Sequence, residues 1–132
     1  MLATFSVKNF KGFENNISID FSAREYSFNK ELIKDGIINK AIIYGKNGVG
    51  KSSLGVAIFD IVTHLTDKEA MPPIYTSNYR NLNHPDDTVD FMYVFKFGAD
   101  EIIYNYTKYD VGFLVDESLT FNGNKVIDYH YF

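Results

Sequence analysis

The eight residues Gly45-Lys46-Asn47-Gly48-Val49-Gly50-Lys51-Ser52 follow the pattern G-x-x-x-x-G-K-[ST], whose residue types and spacing suit the binding of a chain of phosphates. Gly45, Gly48 and Gly50 lack a Cβ, so the backbone can pass through positive φ and bring its N–H groups within hydrogen-bonding distance of phosphate oxygens. Lys51 carries a mobile point charge to the β and γ phosphates of a nucleotide, and the Ser52 hydroxyl is placed to ligate Mg²⁺. Asn47, Val49 and Ser53 join the cradle through their amides; it does not require the side chains of Asn47 and Val49. The competing reading is a glycine-rich turn ahead of a helix, with Lys51 and Ser52 incidental.

Such a loop works only where a buried strand leads in and a helix leads out, because the phosphates sit on the helix N-terminus. Ala41-Ile42-Ile43-Tyr44 is a short unbroken apolar run, the pattern expected of a parallel strand covered on both faces. From Leu54, apolar residues recur at Ala57, Ile58, Ile61, Val62 and Leu65, which is helical spacing. The helix dipole adds positive potential at the loop.

With 132 residues the chain forms one domain at most and can bury a core. A net charge of −4 is the wrong sign for a free-standing nucleic-acid binder, so DNA contacts would have to come from other regions. Zero cysteines exclude disulfides and thiolate metal sites. With no membrane-length apolar stretch and no secretory leader, the expected compartment is the cytoplasm. The 12 Phe and 10 Tyr suit packed β structure better than a base-stacking platform.

Upstream, Ala3, Phe5 and Val7 alternate with Thr4, Ser6 and Lys8, and Ile17, Ile19 and Phe21 with Ser18 and Asp20, predicting an antiparallel strand pair. The segment Phe5-Ser6-Val7-Lys8-Asn9-Phe10-Lys11-Gly12-Phe13, a second strand and then the glycine loop resemble the opening of an ABC-type ATPase head of the branch shared by SMC, RecF and OLD (overcoming lysogenization defect) proteins. The later aromatic half is similar to AAA-like ATPases of bacterial abortive-infection and anti-phage systems. The resemblance implies ATP and Mg²⁺ as cofactors and a second copy of the head as partner, with DNA or an effector subunit reached through regions outside this chain. It places Lys11 where a family Arg or Lys approaches the nucleotide; a solvated turn lysine is the alternative. It also sets residues 23–40 beside the adenine and ribose, making Tyr26 and Phe28 undistinguished candidates for stacking on the base.

Residues 67–88, with Pro72-Pro73 and His84-Pro85, read as a long irregular connection in which Tyr79 and Arg80 either touch a partner or lie on a plain surface loop. Beyond it, Val89, Phe91, Tyr93, Phe95 and Phe97 alternate, then Ile102, Tyr104 and Tyr106, then Phe113, Val115, Leu119 and Phe121. Asn122-Gly123 is a strong hairpin signal, and Val126 onward reads as a further strand in which the chain stops, as expected of an N-terminal piece of a larger protein. The expected fold is α/β: a P-loop NTPase half-domain with a mixed sheet around the P-loop helix and an antiparallel β-meander lobe. Its parts are 1–66 (strand pair, P-loop strand and helix), 67–88 (connection) and 89–132 (β lobe), within one ATP-binding unit, 1–132.

Two segments imitate other machinery. Phe113-Leu114-Val115-Asp116-Glu117 looks like a Walker B strand, yet its alternation runs on into a hairpin, placing both acids on an antiparallel ribbon. Thr107-Lys108-Tyr109-Asp110 looks like a GTPase base-reading motif, but no D-x-x-G stands between it and the P-loop. His64, His84 and His130 show no ligand spacing, which leaves nucleotide-bound Mg²⁺, through Ser52, as the expected metal. Glutamine is absent, and with it the Q-loop residue of ABC-type heads, and no LSGGQ-like segment occurs. The functional expectation is an ATP-binding half-head whose intact dimeric protein hydrolyses ATP to gate a DNA-related or defence effector. The alternative is a nucleotide-sensing or protein-interaction module that never hydrolyses.

Overall fold

The structure, a computed structural model, describes residues 1–23, 28–66 and 73–131. Its strands are β1 (Leu2–Lys8), β2 (Ile17–Asp20), β3 (Ile33–Lys34), β4 (Ile37–Ile38), β5 (Val89–Phe97), β6 (Asp100–Asp110), β7 (Phe113–Phe121) and β8 (Asn124–His130); its helices are α1 (Lys51–Thr66) and the short α2 (Pro73–Thr76). Six strands form one sheet in the order β2-β1-β5-β6-β7-β8, and every neighbouring pair is antiparallel. Strands β3 and β4 make a separate small hairpin. Among the described residues no helix is long and apolar enough to cross a membrane.

Strict alternation builds this sheet, since successive side chains on a strand point to opposite faces. One face collects Val7, Phe91 and Tyr106 in one cross-strand row and Phe5, Tyr93, Tyr104 and Leu119 in the next. Phe5, Val7, Phe91, Tyr93 and Tyr106 are buried there beneath Ala57 of α1, each large ring worth about 2 kcal/mol of transfer free energy. The β7–β8 turn follows its sequence signal: Asn122 and Gly123 have φ of 46° and 80°, as a type I′ turn requires. The β6–β7 ladder shifts register between Thr107 and Lys108, which sets Leu114 opposite Lys108. Leu114 therefore packs on the core, where simple alternation predicts Phe113 and Val115.

The expected α/β class, with a mixed sheet around the P-loop helix, is not what the chain forms. Ala41–Tyr44 is neither a strand nor buried; Ile42 and Tyr44 are each 91% exposed. A parallel strand needs a hydrogen-bonded neighbour and a cover on each face. The sheet ends at β2 and β8 and offers this run neither. The strand pair and the C-terminal meander lie in one sheet because β1 pairs directly with β5. The domain is a β-rich antiparallel sheet with one long helix on one face.

The Asn9-Phe10-Lys11 turn organises the connection that follows α2. Asn9, at φ 57°, is buried, and its Nδ2 donates to the carbonyls of His84, Asp87 and Thr88, each at 3.1 Å. Phe10 is fully buried edge-on to Tyr79, and a backbone bond from Lys11 N–H to the Tyr79 carbonyl ties the two segments. Tyr79 belongs to the core, whereas Arg80 lies over the Tyr109 ring.

Candidate phosphate-binding site

The glycine loop forms as a loop even though its lead-in strand does not. Residues 45–50 run without regular structure into α1, which begins at Lys51 itself, so the first amides of the helix lack intrahelical acceptors. Lys51 folds back over the loop, its Nζ donating to the carbonyls of Gly45 and Lys46 at 2.7 Å each. The Lys51 cation and the helix N-terminus thus lie together at an exposed loop, without the buried lead-in strand that the motif calls for.

The three glycines act differently. Gly48 and Gly50 have φ of +83° and +95°, where L side chains are strained, and the space beyond Gly48 is open. At Gly45 the backbone is unstrained, and a Cβ there would meet the exposed Val49 side chain at 3.2 Å, a tight contact that a small shift relieves. At Gly50 a Cβ would lie 2.8 Å from Phe13 Cε1. Phe13 thus braces the end of the loop from the β1–β2 turn, held by paired backbone bonds with Phe10. The sequence contained Phe13 in the quoted motif, but only the three-dimensional arrangement shows it against the loop.

Asn47, Val49 and Ser52 are exposed, and Ser53 is half-buried at the start of the helix. Lys11 Nζ donates to the Ser77 carbonyl at 2.8 Å and lies over the Phe10 ring, and partial burial lowers its pKa. Of the candidate base-stacking aromatics, Phe28 is exposed and Tyr26 lies outside the described residues. Of the groups a Mg²⁺–nucleotide would use, Gly48 and Gly50 have the positive φ the loop needs, Ser52 is exposed, and the Lys51 ammonium rests on two loop carbonyls that a phosphate would have to replace.

The Walker B look-alike has other partners. Asp116, on β7, contacts His130 Nδ1 and accepts from Thr107 Oγ1 at 3.3 Å, while Glu117 accepts from the hydroxyls of Tyr104 at 2.6 Å and Tyr131 at 3.0 Å. Both acids sit on an antiparallel ribbon, as the continuing alternation predicts.

Sequence reasoning missed a buried polar cluster under α1. Asp60 receives hydrogen bonds from Tyr79 Oη at 2.8 Å, Tyr106 Oη at 2.9 Å and Lys108 Nζ at 2.8 Å. Tyr93 Oη donates to the Ala57 carbonyl at 2.9 Å. Burial, above all, pushes the Tyr79, Tyr93 and Tyr106 hydroxyls well above the ordinary phenol range, so they remain donors. The signal was present: Lys108 shares parity with inward-facing Tyr104 and Tyr106, and Asp60 lies one turn beyond Ala57.

No protein-family model matches this chain, and a search of curated proteins finds no significant match. Its function has to be argued from the site.

Proposed function

We propose that the chain binds ATP with Mg²⁺ through residues 45–53, as the nucleotide-binding portion of an ATPase of the ABC-type class. The observation that supports this best is the Lys51 ammonium held over the Gly45 and Lys46 carbonyls at the start of α1. A phosphate chain entering the loop exchanges those neutral acceptors for charged ones, which make the stronger hydrogen bonds. The amides of Gly48 to Ser53 hold the phosphates, Lys51 offsets their charge, and Ser52 ligates the Mg²⁺, which supplies Lewis-acid polarisation of the phosphoryl oxygens. Hydrolysis belongs to the intact dimeric protein, where a second copy of the nucleotide-binding unit completes the site and turnover gates a DNA-related or defence effector. Asp116 and Glu117 are committed elsewhere, so the chain alone binds without appreciable turnover.

Titration calorimetry of Mg-ATP into the folded chain tests this. Saturation to 100 times the dissociation constant adds about 2.7 kcal/mol to unfolding stability. Lys51→Ala removes most of that shift, because a charge-assisted contact is worth about 1.5–3 kcal/mol. Absence of heat with well-folded protein, or an unchanged shift in Lys51→Ala, overturns the reading. A parallel titration with GTP determines the base preference.

A further inference from the structure

We propose that the buried Asp60–Lys108 pair is a positioning device for the phosphate loop, fixing where α1 sits along the sheet and hence where its N-terminus presents Gly50 to Ser53. The pair is desolvated, with side chains 6% and 2% exposed and 2.8 Å between charged atoms. Burying two charges costs several kcal/mol, and a well-packed apolar pair often holds a fold equally well or better. Adhesion of the helix therefore does not explain the pair. An ion pair does supply direction, which apolar contact lacks.

Directional contacts across this interface are few: Tyr93 Oη donates to the Ala57 carbonyl at 2.9 Å, His64 Nε2 lies 2.7 Å from Tyr104 Oη, and Asp60 gathers three donors in one place. The rest of the platform consists largely of aromatic rings, with Phe91 stacked on Tyr106 and Tyr106 on His64 of α1, and stacking alone grips a helix without defining its axial position. Asp60 is held from two separate segments, by Tyr106 and Lys108 of β6 and by Tyr79 of the connection. Among the described residues, the backbone of residues 40–49 makes no backbone hydrogen bond to the sheet. The loop is thus placed by Phe13 at Gly50 and by α1, whose anchor at Asp60 lies about 14 Å of helix from Lys51.

This inference rests on the nucleotide reading of residues 45–53, and two readouts separate them. The full chain is compared with Asp60→Leu/Lys108→Met by Mg-ATP calorimetry, thermal unfolding, and hydrogen exchange without ligand of amides 54–58, the first bonded ones of α1. The expected double variant unfolds cooperatively at a midpoint no lower than the parent, yet binds Mg-ATP about tenfold more weakly and exchanges those amides about tenfold faster. A role confined to stability moves the midpoint alone, and unchanged affinity and exchange in the folded variant overturn the proposal. Should the variant not fold, Tyr79→Phe/Tyr106→Phe keeps the ion pair and removes two of its donors; about threefold weaker binding with faster exchange supports the proposal, and no change in either overturns it. If the parent gives no heat with Mg-ATP, the nucleotide reading fails, while exchange at amides 54–58 still decides whether Asp60 and Lys108 hold the first turns of α1.

Discussion

The inner face of the sheet and the glycine loop are specified in opposite ways. Each ring on the inner face has several neighbours: Tyr93 packs on Phe5, Phe95 and Tyr106 while its hydroxyl bonds to α1. The loop is defined by two positive-φ glycines, one lysine bonded to two carbonyls, and one ring at Gly50. The first region is over-determined by packing, so it tolerates no change of volume but carries little freedom for chemistry. The second keeps its polar groups facing solvent, where a ligand can compete for them. That difference places stability and binding on separate elements joined by α1, and separate perturbations should reach each.

The largest effect is alkaline and belongs to the platform. Tyr79, Tyr93 and Tyr106 have folded pKa values raised above the unfolded value of about 10, chiefly by burial. Their stabilisation is present below that unfolded value and is lost as pH rises toward the folded ones. Three such groups give a slope of about 4 kcal/mol per pH unit beyond roughly pH 10. Thermal midpoints should fall steeply from there, with phenolate absorbance of these three appearing only on unfolding. Gradual titration in the folded protein would show the platform to be open to water.

A smaller effect belongs to the loop. Gly48→Ala and Gly50→Ala both force a side chain into positive φ, at about 1–2 kcal/mol each. Gly50→Ala also drives a Cβ into Phe13, so it should cost more than Gly48→Ala in urea unfolding. Phe13→Ala in the Gly50→Ala background should remove the excess by which the two differ. Equal costs for the two glycine substitutions would mean that Phe13 does not brace the loop.

The sequence made these regions unequally legible. Period-two alternation located β1, β2 and the strands of the meander because each has one covered face and one open face, and Asn122-Gly123 marked its hairpin through backbone conformation alone. The run Ala41–Tyr44 misled for the same reason: an apolar run reports that cover would be favourable, and the described chain supplies none. For the loop, local pattern anticipated the positive φ of Gly48 and Gly50, which is a property of the backbone alone, but not the bonds from Lys51 to the Gly45 and Lys46 carbonyls. Local pattern could not bring Phe13 to Gly50 or Lys108 to Asp60. The first depends on how the β1–β2 turn folds over, and the second on α1 lying across the inner face of β6.

The smallest effect falls between the two regions, at the turn that carries Phe13. Glu14 accepts from His84 Nε2 at 2.9 Å and from Asn83 Nδ2 at 3.3 Å, and these bonds, the first above all, hold its carboxyl below the ordinary carboxylate range. Because the folded pKa is depressed, the contribution of this latch is present above the unfolded value of about 4.3 and is lost as pH falls through the folded one. The group is solvent-exposed, so global stability should hardly register Glu14→Gln. The local consequence is sharper, because the same turn positions Phe13 against Gly50. Acidification through the Glu14 titration should quicken amide exchange at residues 81–87 before it touches the platform, and Glu14→Gln should abolish that pH dependence. A carboxyl resonance of Glu14 that titrates at or above the ordinary value would show the turn to be held by its backbone bonds and Asn9 alone.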